Sequence, residues 1–276
     1  MSKGMSMIPK IIHYCWFGGK PLTAEAKRYI ATWRGLCPDY EIIEWNEQNF
    51  DVTQNIYCRE AYEAKKWAFV SDYARLKVLY DHGGIYMDTD VEVVKSFNDL
   101  LDLNGFMCFE SKKGVSVGTL GASENNPLLK EFLQAYAGKH FPIVDHKGTL
   151  LTNLQLITPV LVNSYGLKLD GKRQTLNNDI IVFPMEVFIA KSYFTGWIEC
   201  NENTYAIHHY AESWVSEEDR QYHRNLQSLV RAHLKKGEWL AIKLAIARLE
   251  LRLNGFSGLC ARLVSYLGKR LGWSNS

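Results

Sequence analysis

Residues Gly83-Gly84-Ile85-Tyr86-Met87-Asp88-Thr89-Asp90 constrain the fold more than any other stretch of this chain. Upstream of them, Phe69, Tyr73, Leu76 and Tyr80 recur at spacings of four, three and four, which predicts a helix over 61–82 that the glycine pair stops. Residues 85–87 then read as a short apolar strand that runs straight into two aspartates one residue apart. In extended chain, residues i and i+2 share a face, so both carboxylates look into one space at the carboxyl end of a strand. That is where open α/β sheets bind their ligands. Hard oxygen donors so placed suit Mg²⁺ or Mn²⁺ together with the phosphates of a substrate.

The rest of the chain supplies the alternation that an α/β fold requires. Residues 11–16 form an apolar strand ending in Gly18-Gly19, and Thr23 caps a helix to about Arg34 with Glu25 in its first turn. Strands follow at Glu41–Trp45, 91–94, 105–109 and 179–184, with helices near 127–137 and 150–162. At 276 residues the chain has room for one full domain and an appendage, and no repeat is visible.

The formal net charge of +2 conceals a segregation. Residues 1–219 carry 21 lysines and arginines against 28 acids, or −7; residues 220–276 carry 11 against 2, or +9. In the basic segment Trp239, Ile242, Ile246, Leu249 and Leu253 form one apolar stripe, and a second amphipathic stretch spans 259–271. Such helices either pack on the body or lie on an anionic membrane surface, where each nearby Lys or Arg adds about 1 kcal/mol. No nucleic-acid-binding module accompanies the charge, so no nucleic acid is expected as a partner. The six cysteines form no C-x-x-C pair, no secretory pattern opens the chain, and the longest uncharged stretch, 148–167, is interrupted by Asn153, Gln155, Pro159, Asn163 and Ser164. A cytoplasmic protein with reduced thiols and no transmembrane helix is expected.

Two further features accompany the aspartates. Asp72 and Arg75 stand i,i+3 on one helix face, which makes either an intrahelical ion pair or an acid and a guanidinium that hold a hydroxylated, charged ligand. Trp16 ends the first strand beside two glycines, as either a core side chain or a platform for a base.

Taken in order, 13–19 (His-Tyr-Cys-Trp-Phe-Gly-Gly), 71–76 (Ser-Asp-Tyr-Ala-Arg-Leu) and 83–90 resemble the retaining glycosyltransferases with a DXD sugar-binding region. That family includes fungal outer-chain mannosyltransferases and bacterial polysaccharide transferases, and its core is similar to that of the large glucosylating toxins. The resemblance spans 8–94 and resumes at 205–214, where Ala206-Ile207-His208-His209-Tyr210-Ala211-Glu212-Ser213-Trp214 is similar to the closing motif of the family. It implies a GT-A-type nucleotide-sugar fold with a mixed central sheet over 1–215, followed by a basic helical extension over 216–276.

By that resemblance Trp16 stacks on the donor base, the backbone near Cys15 reads its edge, and Ser71, Gly84 and Tyr86 line the nucleotide pocket. Asp72 and Arg75 hold the donor sugar. Asp88 faces the ribose and the water shell of a Mn²⁺ or Mg²⁺ ion, Asp90 ligates it, and His208 or His209 adds a ligand. Ser213 and Trp214 close over the diphosphate as a lid. The implied reaction moves a hexose or N-acetylhexosamine from UDP or GDP to a glycan or lipid-linked acceptor, with retention. No carboxylate can be nominated from sequence as the nucleophile of a double displacement, so front-face attack by the acceptor hydroxyl is expected. Thr158-Pro159 lacks the preceding glycine common in the family, and Asn153 and Gln155 are the polar residues available on the acceptor side.

Two alternatives remain. An aspartyl-phosphate hydrolase requires Thr or Val two residues after its second aspartate, where this chain has Glu92. A non-catalytic nucleotide-sugar-binding module keeps the fold without turnover.

Overall fold

The computed structural model describes residues 7–112, 114–146, 148, 150–211 and 215–235, with positions 244, 247, 248 and 251. The apolar stripe from Trp239 to Leu253 and the amphipathic stretch over 259–271 lie outside the described residues, as do Ser213 and Trp214. The chain divides into two compact units, residues 1–191 with 198–211, and residues 192–197 with 212–276.

The first unit is a mixed α/β fold, as the alternation predicts. Strand β1 (Ile11–Cys15) pairs in parallel with β2 (Glu41–Trp45) and with β3 (Gly84–Met87). Helix α1 (Ala24–Leu36) connects β1 to β2 and starts where Thr23 accepts a hydrogen bond from the Ala26 N–H at 3.1 Å. It buries Ala26, Tyr29, Ile30 and Trp33, and the Trp33 indole donates to the Val91 carbonyl at 2.8 Å, anchoring the chain one residue beyond Asp90.

The helix expected over 61–82 is two helices, α2 (Ile56–Glu63) and α3 (Trp67–His82). Lys65 adopts φ 56° between them, and the Lys66 N–H returns to the Ala61 carbonyl at 2.9 Å, a left-handed helix end made without glycine. The later elements are the short strand β4 (Val91–Val93), β5 (Gly105–Ser111), β6 (Gly114–Ala122), α4 (Pro127–Ala135), α5 (Asn153–Tyr165), β7 (Gln174–Thr175), β8 (Ile180–Phe183) and β9 (Ala206–His208).

The central sheet has seven strands in the order β2-β1-β3-β6-β5-β8-β7, and β4 pairs with β9 in a separate antiparallel ribbon. Strand β6, which sequence periodicity did not reveal, runs antiparallel between β3 and β5 and joins the parallel strands β1 to β3 to the parallel pair β5 and β8, which β7 edges antiparallel. All nine of its residues are buried, so no polar face alternates with an apolar one, and its small Gly, Ser and Thr residues leave a weak hydrophobic signal. One face of the sheet is covered by side chains of α2 to α5, among them Phe69, Leu128, Phe132 and Leu161; the other packs on Ile30 and Trp33 of α1 and on the ribbon.

In the second unit, α6 (Glu217–Lys235) carries three acids in its first turn, and Ser216 caps it by accepting from the Asp219 N–H at 3.1 Å. Leu226 and Val230 bury against Tyr193, Phe194, Tyr222 and Leu234.

Candidate metal centre

At Met87 the chain leaves β3 and makes a tight turn. The Asp88 N–H donates to the Gly118 carbonyl of β6 at 2.8 Å, and the Val91 N–H closes onto the Asp88 carbonyl at 3.0 Å. Val91 then starts β4, whose partner across the ribbon is His208 of β9. Register alone therefore brings a histidine 118 positions away onto the aspartates. Asp88, Asp90 and His208 offer ligand atoms that all lie within 4.8 Å of one another.

His208 Nε2 is 3.2 Å from Asp90 Oδ1, close to the roughly 3 Å that separates adjacent ligands of an octahedral ion with bonds near 2.1 Å. The ring's other nitrogen, Nδ1, is buried with no hydrogen-bond partner among the described residues. After His208 the chain turns sharply: Tyr210 takes φ 57°, rare for a bulky residue, its ring lies 4.5 Å from the His208 ring, and the Ala211 N–H donates to Asp90 Oδ2 at 2.7 Å. Two carboxylates and an imidazole fit a divalent cation.

Without a cation the pair is ionic. Burial acts to raise the Asp90 carboxyl, but the His208 charge and hydrogen bond outweigh it and hold the pKa at about 2. Burial likewise acts to lower His208, and Asp90 reverses this to about 9. His209 is turned away from the aspartates: its Nε2 meets Glu92 Oε2 at 2.8 Å, and its ring stacks on Tyr29 with centroids 4.5 Å apart. Of the two histidines expected as ligands, His208 is the one brought to the aspartates.

Behind the turn lies Arg75 of α3, 5% exposed. Its Nη2 pairs with Asp72 Oδ1 at 3.0 Å and its Nη1 with Asp88 Oδ2 at 3.2 Å; Nη1 also donates to the Val117 carbonyl and Nε to the Ser71 carbonyl, each at 3.1 Å. The guanidinium lies over the Tyr86 ring, 4.7 Å from its centroid, and the Tyr86 hydroxyl donates to Asp88 Oδ1 at 2.9 Å. The i,i+3 pair read from the sequence is thus a buried bridge that continues to the first aspartate. Burial raises the Asp72 carboxyl to about 6 against the pull of Arg75, which divides its charge between two acids. Burial works against the Arg75 charge, yet the acids around it, Asp88 first, push its pKa well above the ordinary value.

The remaining expected residues are placed as follows. Trp16 is half-buried at the end of β1 and donates its indole N–H to the Lys20 carbonyl at 2.6 Å. Cys15 is buried, and burial pushes its thiol up to about 12. Ser71 donates to the Trp67 carbonyl at 3.1 Å. Gly84 has φ 102°, and a Cβ there would stand 2.6 Å from the Ile11 carbonyl oxygen, so β1 and β3 close only around glycine.

Three residues escaped sequence reasoning in these roles. Asn153, at the start of α5, donates to Asp72 Oδ1 at 2.7 Å, the same oxygen that Arg75 Nη2 meets. Glu110, at the end of β5, feels the charges of His208, Asp88 and Arg75, though burial dominates and raises its carboxyl. Gly118 sits under the centre: a Cβ there would lie 3.0 Å from Asp88 Oδ2 and 3.4 Å from His208 Cε1. We expect Gly118→Ala to fold with a loss of about 1–3 kcal/mol from overpacking and to weaken Mn²⁺-dependent ligand binding at least about tenfold. Thermal melts with and without Mn²⁺ and nucleotide check this, and wild-type ligand shifts would show that the contact yields freely.

Residues 23–107 match the family described as a glycosyltransferase sugar-binding region containing a DXD motif. Over 140 residues the chain is 26% identical to inositol phosphoceramide mannosyltransferase 3 of Schizosaccharomyces pombe, covering 48% of this chain and 38% of that protein. Over 132 residues it is 30% identical to the uncharacterized glycosyltransferase L373 of Acanthamoeba polyphaga mimivirus, covering 44% and 53%. The chain thus spans about half or less of the length of these relatives. Among solved structures, the PaToxG glycosyltransferase aligns over 56% of this chain and 68% of its own at 20% identity, with a TM-score of 0.44. Residues 23–107, which carry Asp72, Arg75, Tyr86, Asp88 and Asp90, are thus the part of this chain that is similar to glycosyltransferase sugar-binding regions containing a DXD motif.

Proposed function

We propose that the chain is a metal-dependent, retaining glycosyltransferase that moves a hexose or N-acetylhexosamine from a UDP- or GDP-sugar to a glycan or lipid-linked acceptor in polysaccharide synthesis. The convergence of Asp88, Asp90 and His208 at the carboxyl end of β3, backed by the buried Arg75, carries this reading. The mannosyltransferase relative is named for a lipid acceptor, inositol phosphoceramide, which favours a lipid-linked acceptor here.

When bound between Asp88, Asp90 and His208, Mn²⁺ or Mg²⁺ supplies the counter-charge that a departing nucleoside diphosphate needs. The chain's own residues preorganise the site. Tyr86 and Arg75 fix the two oxygens of Asp88, and the Ala211 N–H fixes Asp90. Asp72 commits one oxygen to Arg75 and Asn153, which leaves the other to accept sugar hydroxyls. Trp16 presents its ring to the base, with the backbone at Cys15 reading the base edge. Ser71 and Gly84 line the pocket wall. The acceptor hydroxyl attacks from the front face and passes its proton to the leaving diphosphate.

In this reading residues 1–215 are catalytic, with a GT-A-type fold, and 216–276 form an extension whose +9 charge holds the protein on the anionic, cytosolic face of a membrane. Among the described residues no helix is long and apolar enough to cross a membrane.

A thermal-shift panel of UDP- and GDP-sugars with and without Mn²⁺ tests the reading. A ligand at a hundredfold excess over its dissociation constant adds about 2.7 kcal/mol of apparent stability. We expect an Mn²⁺-dependent shift with one base, and free diphosphate in a coupled assay once acceptor is supplied. Binding without release would identify a binding module, and no shift with any donor would refute the reading.

A further inference from the structure

Glu110 stands apart from every other acid around the centre. Asp72 is bonded to Arg75 and Asn153, Asp88 to Arg75 and Tyr86, Asp90 to His208 and the Ala211 N–H, and Glu92 to His209. Glu110 makes no hydrogen bond or ion pair among the described residues, although it is only partly exposed.

Its position follows from a defect in the sheet. Strands β5 and β6 pair Phe109 with Val115 and then Ser111 with Gly114, so β5 gains one residue and Glu110 has no partner across the ladder. Such bulges bend a strand and re-aim a side chain, and they collect beside active sites. Two residues earlier, Cys108 lies opposite Ser116, whose hydroxyl oxygen shares the surroundings of Gly118 with Asp88 Oδ2 and His208 Cε1. Strands β3 and β5 flank β6, so Asp88 and Glu110 stand on either side of it, and Glu110 feels the charges of Asp88 and His208. Glu110 is not one of the residues whose ligand atoms meet within 4.8 Å, so it is no fourth ligand of the same ion.

Resting on the transferase reading above, we infer that Glu110 is a substrate-binding residue whose carboxylate accepts hydroxyl hydrogens of the transferred sugar, across the strand pair from the diphosphate. A half-buried carboxylate with no partner among the described residues, beside the candidate metal centre, has its acceptor capacity open, and sugar hydroxyls supply the donors. Its loss therefore weakens recognition of the sugar and leaves recognition of the nucleotide intact.

The test compares wild type, Glu110→Ala and Glu110→Gln, using the donor that the panel identifies and its free nucleoside diphosphate, each with Mn²⁺. We expect both variants to bind the free diphosphate as wild type does, which also shows that they fold. We expect Glu110→Ala to bind and turn over the nucleotide-sugar about 10–100-fold less well, the scale of one charge-assisted hydrogen bond. Glu110→Gln should recover part of this, because its amide oxygen still accepts. Wild-type handling of the sugar by Glu110→Ala overturns the assignment, as does an equal loss of free diphosphate binding. So does rescue of Glu110→Ala by azide with release of a glycosyl azide, which would make Glu110 a nucleophile instead. If wild type itself binds no nucleoside diphosphate with Mn²⁺, the transferase reading fails first, and this inference falls with it.

Discussion

Asp90→Asn is expected to abolish sugar transfer, by about a thousandfold or more, while the protein stays folded. Electrostatic stabilisation by a bound cation amounts to several kcal/mol, and about 4 kcal/mol corresponds to that factor. The fold survives because the Asn oxygen still accepts from the Ala211 N–H, which sets the turn after β9. The Mn²⁺-dependent thermal shift should disappear with the activity. The same variant has a pH signature without metal. His208, raised from 6.5 to about 9, contributes stability that is complete below its unfolded value and lost as pH rises through about 9. Asp90, lowered from 3.8 to about 2, contributes stability present above its unfolded value and lost as pH falls through about 2. The stability gap between wild type and Asp90→Asn should thus be widest between about pH 4 and 6.5. Full activity in the variant would sink the metal role.

Arg75→Leu should cost the most stability of any change at the site, about 3–5 kcal/mol, because it strands two carboxylates and two carbonyls at once. At about 2–4 °C per kcal/mol for a domain of this size, the melting temperature should fall by roughly 6–20 °C. Loss of the neighbouring cation pushes the Asp72 carboxyl further above its position near 6. A carboxyl raised in the folded state binds more protons there than in the unfolded chain. The penalty is therefore smallest near pH 4 and grows as pH rises toward the folded pKa. Arg75→Lys keeps the charge but not the fork that spans Asp72 and Asp88, and should fall between. A melting curve for Arg75→Leu within about 1 kcal/mol of wild type would show that neither acid depends on the bridge.

The parts of this site that could be read in the sequence are those whose signals are local. Thr23 announces the start of α1 and the Gly83-Gly84 pair the end of α3, and the two aspartates follow a strand as expected, although a tight turn, not extended chain, brings them together. The break between α2 and α3 was hidden because a lysine, not a glycine, takes the left-handed conformation. Strand β6 was hidden because burial on both faces removes alternation and its small residues blunt the hydrophobic signal. The roles of His208, Asn153 and Glu110 depend on register, on a helix docking, and on a bulge. Each of these is fixed by tertiary packing. Of the adjacent histidines, strand pairing sets His208 opposite Val91 and sends His209 to Glu92, a choice that no spacing in the sequence encodes.

The pairing of β4 with β9 also has a kinetic meaning. A hydrogen bond across the centre joins residues 121 positions apart in the chain, so His208 reaches the aspartates only after nearly the whole first unit has been synthesised. Closing a loop of that length before any contact rewards it is slow and entropically costly. A nascent chain that stops short of residue 206 can carry every strand of the large sheet yet offer a cation only Asp88 and Asp90. A cation held by all three side chains would therefore report on completed folding, because His208 joins Asp88 and Asp90 only once β9 has paired with β4.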